Sequence, residues 1–225
     1  GGTPQAIKFV QDQFEQSPEG IDVDIFFGGG SDPFLQFGKK GLLHGCDIPE
    51  DILAPIPRTH AGTELYDEQE RWFGACMSGF GILYNKQLLA TLGLAEPETW
   101  ADLGRPDYFT WVASADPRQS GSMHMLYEII LQAYGWEEGW GHIVRIGANS
   151  RTFSRAASDV PKEIAIGEAV CGMAIDYYAL RAVAEAGADK MGFVLPQRLT
   201  VVNPDGIGVL KGAPHVELAE RFVQF

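Results

Sequence analysis

This 225-residue sequence predicts an α/β fold with mixed, largely parallel sheets, and three observations lead there. Short apolar runs of strand length alternate with longer segments whose apolar residues recur at three- and four-residue steps. Glycine follows several of those longer segments, as at Gly41, Gly93 and Gly187, where a left-handed residue ends a helix. The alternation continues along almost the whole chain, which is the pattern of strand and helix units layered on a common sheet.

Taken in order, residues 3–16 read as a helix with Ile7, Val10 and Phe14 along one side, and residues 21–27 as a buried strand running into Gly28-Gly29-Gly30-Ser31-Asp32-Pro33. A second helix follows through Phe34, Leu35 and Phe37 to Lys40. Residues 44–71 are rich in Pro, His and acidic groups and predict an irregular excursion over the surface. Residues 80–84 form the next strand, and residues 86–92 a short helix. A strand at Trp111 turns through Ser120-Gly121-Ser122 into a helix ending at Tyr134, on which Met123, Leu126, Tyr127, Ile130 and Leu131 share one face. Helices around 139–146 and 160–167 precede a strand at 170–175. That strand leads through Asp176-Tyr177-Tyr178 into a helix over 179–186. Short strands at 192–195, 200–202 and 207–210 and an amphipathic segment at 216–225 complete the chain.

Composition excludes several classes of function. The chain is 45% hydrophobic and 21% charged, the balance of a globular protein rather than a disordered one. Thirty acidic residues against 17 basic ones give a formal charge of −13, and that field repels nucleic acid and anionic lipid. No apolar stretch reaches the length of a membrane span, and the first ten residues lack the basic start and apolar core of an export signal. Cys46, Cys76 and Cys171 have no metal-type spacing. Cys171 sits in an apolar run and reads as a small core residue. Cys46 and Cys76 remain a candidate disulfide pair, and the redox compartment stays open.

Ligand sites in α/β sheets lie beyond the carboxyl ends of strands, and three strand-to-helix turns meet that description. In the 28–32 turn the glycines suit a sharp bend or close approach to a ligand. Gly29, Gly30 and Ser31 are candidate ligand groups, and a structural turn in which Ser31 or Asp32 caps the next helix is the alternative. The spacing matches neither a dinucleotide fingerprint nor a P-loop. In the 120–122 turn, Ser120, Gly121 and Ser122 stand where helical N–H groups and the positive end of the dipole meet an anion; alternatively one serine simply caps its own helix. In the 176–178 turn, Asp176, Tyr177 and Tyr178 offer phenol oxygens to a hard cation, or ring faces and hydroxyls to a polar organic ligand. The other reading there places one ring in the core and the other over the surface. Asn149, beside Ser150, adds an amide donor or else ends its helix. No His-x-x-x-His pair and no Gly-x-Ser-x-Gly elbow is present, so no catalytic residue is assigned. His124 reads as an ordinary helix residue.

With these turns located, the sequence resembles the extracellular solute-binding proteins of ABC transporters, in their ferric-ion-type branch. The matching stretches are 23–30, 40–43, 72–74, 81–85 and Pro97-Glu98-Thr99-Trp100-Ala101-Asp102-Leu103. They continue with Ala115-Asp116-Pro117, Ser120-Gly121-Ser122, Gly135-Trp136, Gly167-Glu168, Asp176-Tyr177-Tyr178 and Asn203-Pro204-Asp205-Gly206-Ile207. They span nearly the whole chain in family order.

The resemblance implies a two-lobed, type II periplasmic-binding-protein-like fold with a hinge. One lobe would hold residues 1–80 with 200–225 and the other 83–198, with hinge strands near 80–85 and 195–208. It implies a monomer in the periplasm or outside the cell that delivers its ligand to the membrane subunits of an ABC permease. It also implies that the chain begins and ends short of a full-length member, so that the first lobe is incomplete. No cofactor is expected. The ligand would be ferric ion with a synergistic anion, held by Tyr177 and Tyr178 as metal ligands, or a small anionic or phosphorylated organic solute. The acidic residue that iron-binding members carry in the first loop falls here on Gly29. The competing function is a transferase or lyase on the same fold with Asp176 or Glu168 as base. A protein-interaction module is a third.

Overall fold

A computed structural model describes residues 2–60, 62–197 and 200–225; residues 198–199, within the second expected hinge stretch, lie outside them. The first elements are α1 (Thr3–Gln16), β1 (Ile25–Phe27), α2 (Asp32–Lys39), α3 (Glu50–Leu53) and a small hairpin of β2 (Thr59–His60) and β3 (Thr63–Glu64). Then come β4 (Phe73–Asn85), α4 (Lys86–Leu92), β5 (Val112–Ala115), α5 (Gly121–Tyr134), α6 (Trp136–Asn149) and β6 (Ser150–Ser154). The last are α7 (Val160–Ala165), β7 (Cys171–Ile175), α8 (Asp176–Ala186), β8 (Met191–Val194), β9 (Val202–Val209) and α9 (Val216–Val223). No helix among the described residues is long and apolar enough to cross a membrane.

The chain divides into two compact units, one of Thr3–Met77 with Val202–Phe225 and one of Ser78–Val201. In the first unit β1 and β9 pair antiparallel, with Ile25 opposite Val209 and Phe27 opposite Ile207. Alternation along β1 sends Phe26 and Ile25 to opposite faces. Phe26 meets Phe34 and Phe37 of α2 edge-on, at ring separations of 5.6 and 5.1 Å, in a core completed by Val10, Phe14 and Trp72. Ile25 packs instead with Val209, Ala213 and Ala219 beneath α9. The irregular 44–71 stretch is tied down where Arg71 donates to Asp67 Oδ2 at 2.7 Å and to the Gly38 carbonyl at 3.2 Å.

The second unit builds its sheet in the order β8, β4, β7, β5, β6. The sheet is mixed. β5 pairs parallel with β6 and with β7, while β4 pairs antiparallel with β7 and with β8. A single core of Ile82, Leu83, Trp100, Met123, Leu126 and Ile164, all fully buried, fills the space between sheet and helices. Local signals place the ends of these elements: Asn85 caps α4 by accepting from Leu88 N, and Gly93 closes it with φ of +67°.

Several elements differ from expectation, among them α3 and the β2–β3 hairpin, which lie in the stretch expected to be irregular. β1 covers only the last three residues of the expected strand, because residues 21–24 make no ladder. β4 is 13 residues long and begins at Phe73. β9 is one strand, Val202–Val209, running through the stretch between the two short strands expected at 200–202 and 207–210. β6 has no counterpart in the sequence reading. No disulfide joins Cys46 and Cys76: Cys46 is buried, and Cys76 is exposed with its thiol facing Asp205.

Candidate functional site

Three strands of the second unit end side by side. Val112 of β5 lies opposite Ser150 of β6 and Cys171 of β7, all parallel, so the strands finish together at Ala115, Ser154 and Ile175. The antiparallel pairing of Phe80 with Ile175 brings the 78–80 stretch of β4 to the same edge. Sites of this fold class form at such an edge, beyond the carboxyl ends of the parallel strands.

After β5 the chain turns at Asp116, which is buried and accepts from Arg118 Nε at 2.9 Å, Arg118 Nη2 at 2.7 Å, Arg118 N at 2.9 Å and Gln119 Nε2 at 3.1 Å. The Arg118 guanidinium, with help from Gln119, holds this carboxyl well below the usual carboxylate range. Its carbonyl receives the Ser120 N–H at 2.9 Å, which delivers Ser120 to the start of α5. There Ser120 Oγ accepts from Met123 N at 3.3 Å, so this serine does cap its own helix. Ser122, half-buried in the first turn, is not the cap. The N–H groups of Gly121 and Ser122 precede the first possible intrahelical acceptor and point outward from the edge.

After β7, α8 starts at once, with Asp176, Tyr177 and Tyr178 as its first turn. Asp176 Oδ2 accepts from Gly79 N of β4 at 2.7 Å and Oδ1 accepts from Tyr177 N at 2.7 Å. Both carboxylate oxygens are therefore committed to backbone. Tyr177 is 63% exposed, Tyr178 is half-buried, and their rings meet edge-on at 5.4 Å. Neither ring belongs to the core. Arg181, one turn along from Tyr177, donates from Nε to Glu185 Oε1 at 2.8 Å.

After β6, Ser154 Oγ donates to the Ser114 carbonyl at 3.2 Å, while its own carbonyl accepts Asp116 N at 2.8 Å. Arg155, the next residue, is exposed and makes no hydrogen bond or ion pair among the described residues. Its backbone follows Ser154, whose carbonyl accepts Asp116 N, so it lies beside the Asp116 turn that leads to α5. Sequence reasoning passed over Arg155 because β6 itself, Ser-Arg-Thr-Phe-Ser, carries no apolar alternation. Asn149 lies elsewhere. It ends α6 just before β6 begins, at the opposite end of the parallel strands, buried, with Nδ2 donating to the carbonyls of Leu103 at 2.8 Å and Arg105 at 2.6 Å. The amide thus ties α6 to the Trp100–Gly104 turn.

In the first unit, Gly28, Gly29 and Gly30 all have positive φ, at +90°, +86° and +78°. Gly28 N donates to the Gly206 carbonyl at 2.8 Å and Gly30 N to Asp205 Oδ1 at 3.1 Å, and Ser31 Oγ donates to Asn203 Oδ1 at 3.1 Å. Ser31 precedes α2 without a side-chain capping bond. Among the described residues, no group of three or more His, Cys, Asp or Glu side chains is placed to hold a metal ion.

Two helix N-termini, an arginine unpaired among the described residues, an exposed phenol and a half-buried one thus share this end of an α/β sheet. The family model for bacterial extracellular solute-binding proteins matches residues 23–225, and the chain belongs to that family. It is 32% identical over 187 residues to the phosphoglycerate transport regulatory protein PgtC of Salmonella typhimurium, a match covering 83% of this chain and 44% of PgtC. An uncharacterized protein of Haemophilus influenzae is 28% identical over 205 residues, covering 90% of this chain and 57% of the other. The chain therefore spans about half the length of these relatives. Among solved structures, the periplasmic binding protein AfuA of Actinobacillus pleuropneumoniae, with fructose-6-phosphate bound, superposes with a TM-score of 0.85 at 22% identity, over 99% of this chain and 67% of AfuA. Iron-bound HitA of Pseudomonas aeruginosa superposes with a TM-score of 0.76 at 21% identity, over 100% of this chain and 69% of HitA. The fold is that of the periplasmic binding proteins.

Proposed function

We propose that this chain is the solute-capturing part of a monomeric receptor, working in the periplasm or outside the cell, that delivers a small organic anion to the permease of an ABC importer. The observation that carries the reading is the start of α5, where the Gly121 and Ser122 N–H groups precede any intrahelical acceptor, at the same sheet edge as Arg155, which is exposed and makes no hydrogen bond or ion pair among the described residues. A phosphate or carboxylate matches that donor set in charge and geometry. Tyr177 and Tyr178 supply ring faces and hydroxyls to the organic portion, and within the first unit the 28–31 turn is a candidate for binding solute through its backbone donors. The names of PgtC and of ligand-bound AfuA support a phosphorylated solute. Asp176 and Asn149 serve the scaffold, since their polar atoms are spent on backbone groups. The same spent carboxylate argues against Asp176 as a catalytic base.

One observation favours ferric ion as the cargo instead: the adjacent phenols Tyr177 and Tyr178 on one helical turn, together with the likeness to iron-bound HitA. Against it stands Gly29, at the position where the resemblance expects a carboxylate, and no group of three or more His, Cys, Asp or Glu side chains among the described residues is placed to hold a metal ion.

Calorimetric titration with 3-phosphoglycerate, fructose 6-phosphate, inorganic phosphate and ferric citrate tests both. The expected result is saturable binding of an organic phosphate, weakened about tenfold or more in Arg155→Ala. Silence toward every anion would overturn the reading. A visible charge-transfer band with ferric citrate that disappears in Tyr177→Phe would replace it with iron.

A further inference from the structure

We propose that Asn203 and Asp205, on β9, are positioning residues that hold the 28–31 turn in its solute-binding conformation; the role rests on the reading of that turn as part of the site. Three consecutive glycines at positive φ leave this backbone with no ladder of its own, so its polar groups need partners from outside. All of the turn's anchors come from one four-residue stretch of β9 far along the chain. Gly206 O takes Gly28 N, Asp205 Oδ1 takes Gly30 N and Asn203 Oδ1 takes the Ser31 hydroxyl.

The fit is close as well as bonded. A Cβ on Gly30 would lie 2.6 Å from Asn203 Nδ2, and Asn203 is itself only 8% exposed. A Cβ on Gly29 would lie 2.6 Å from Thr3 Cγ2, whereas one on Gly28 would meet nothing within 4 Å, so the turn is braced at Gly29 and Gly30 and open at Gly28. Burying an amide and placing a carboxylate within a strand gains the sheet nothing by itself, because an apolar pair would fill the same space without desolvation cost. What the two side chains do provide is a fixed direction for the N–H of Gly30 and for the lone pairs of Ser31.

The test compares Asp205→Ala, Asp205→Asn and Asn203→Ala in calorimetric titrations with 3-phosphoglycerate and with inorganic phosphate, alongside thermal melts. Asparagine keeps an oxygen that accepts Gly30 N–H but carries no charge. The expected pattern is a loss of 3-phosphoglycerate affinity of about ten- to a hundredfold in the two alanine variants. Asp205→Asn restores affinity to within about threefold of the parent, and the melting temperature of Asp205→Asn stays close to the parent's. Parent-like 3-phosphoglycerate affinity in Asp205→Ala overturns the inference while the site reading stands. An asparagine variant as weak as alanine overturns it differently, because the carboxylate then acts on the solute itself. If the parent protein binds neither probe, the site reading fails first. Should Asp205→Ala not fold, Asn203→Ala carries the same comparison.

Discussion

Asp176 Oδ2 accepts the backbone N–H of Gly79 at 2.7 Å, joining the first residue of α8 to the middle of β4. The same carboxylate takes the N–H of Tyr177 through its other oxygen. Ile175, at the cap position, has no side chain able to do this, so Asp176 satisfies an orphan donor of the helix and fixes the direction in which the two tyrosines leave it. A residue that reads in the sequence as a base or a ligand is thus a bracket between a strand and a helix.

Asp176→Ala should destabilise the protein by about 1–3 kcal/mol, the cost of leaving two N–H groups short of an acceptor. Gly79→Ala should also destabilise, because the new Cβ would sit 3.0 Å from Asp176 Oδ2. In the double variant the clash has no partner, so urea unfolding should show the two effects to be less than additive. Simple additivity would show the two positions to be independent.

Ser120 and Ser122 should separate by function. Ser120→Ala loses the cap on α5 and should cost about 1 kcal/mol of stability. Ser122→Ala removes no capping bond and should leave the urea midpoint unchanged while weakening organic phosphate binding. Equal losses of stability in both variants would contradict the assignment of Ser120 as the cap.

Asn149→Ala should behave as a scaffold variant. Two buried carbonyls, of Leu103 and Arg105, lose their donor, which should cost about 1–3 kcal/mol. Solute affinity measured below the melting range should match the parent, since the residue lies at the opposite end of β5 and β6 from Ser120 and Arg155.

Acid should expose the role of Asp116. Hydrogen bonds from Arg118 and Gln119 lower its folded pKa below the unfolded value, so its contribution is complete above the ordinary carboxylate range. It is lost as pH falls through and below about 4. Asp24, held by the backbone N–H of His215, has a lowered pKa and acts in the same direction. Asp102 joins them although burial alone would raise it, because bonds from Thr99 Oγ1, Glu98 N and Thr99 N more than offset that effect. The stability gap between the parent and Asp116→Asn should therefore narrow from pH 7 to pH 3 in urea titrations. A gap that is constant with pH would mean the bonds do not depend on ionisation.

Helices with chemical punctuation at their ends are legible in this sequence. The α1 stripe of Ile7, Val10 and Phe14, the Asn85 cap and Gly93 stop of α4, and the start of α5 at Ser120 all follow from local signals. Strands defined by their neighbours are not. β6 lies at the sheet edge with three central residues exposed, so it has no buried face to leave a period-two pattern. β9 keeps Asn-Pro-Asp-Gly extended because its side chains and carbonyls anchor the 28–31 turn, a tertiary demand that overrides turn propensity. The glycine turn, the serine turn and the tandem tyrosines stand out by residue type. Arg155 does not, because its significance depends on which strand ends beside it. Asn149 stands out by type as well, and only the direction of its amide shows that it belongs to the scaffold.

The antiparallel pairing of Ile25 with Val209 also makes closure of the first unit a long-range event. The 28–31 turn meets its β9 anchors across 172 and 175 positions of chain. The entropy of closing so long a loop falls on this unit, so its pairing forms more slowly than the shorter-range pairing of β5 with β6.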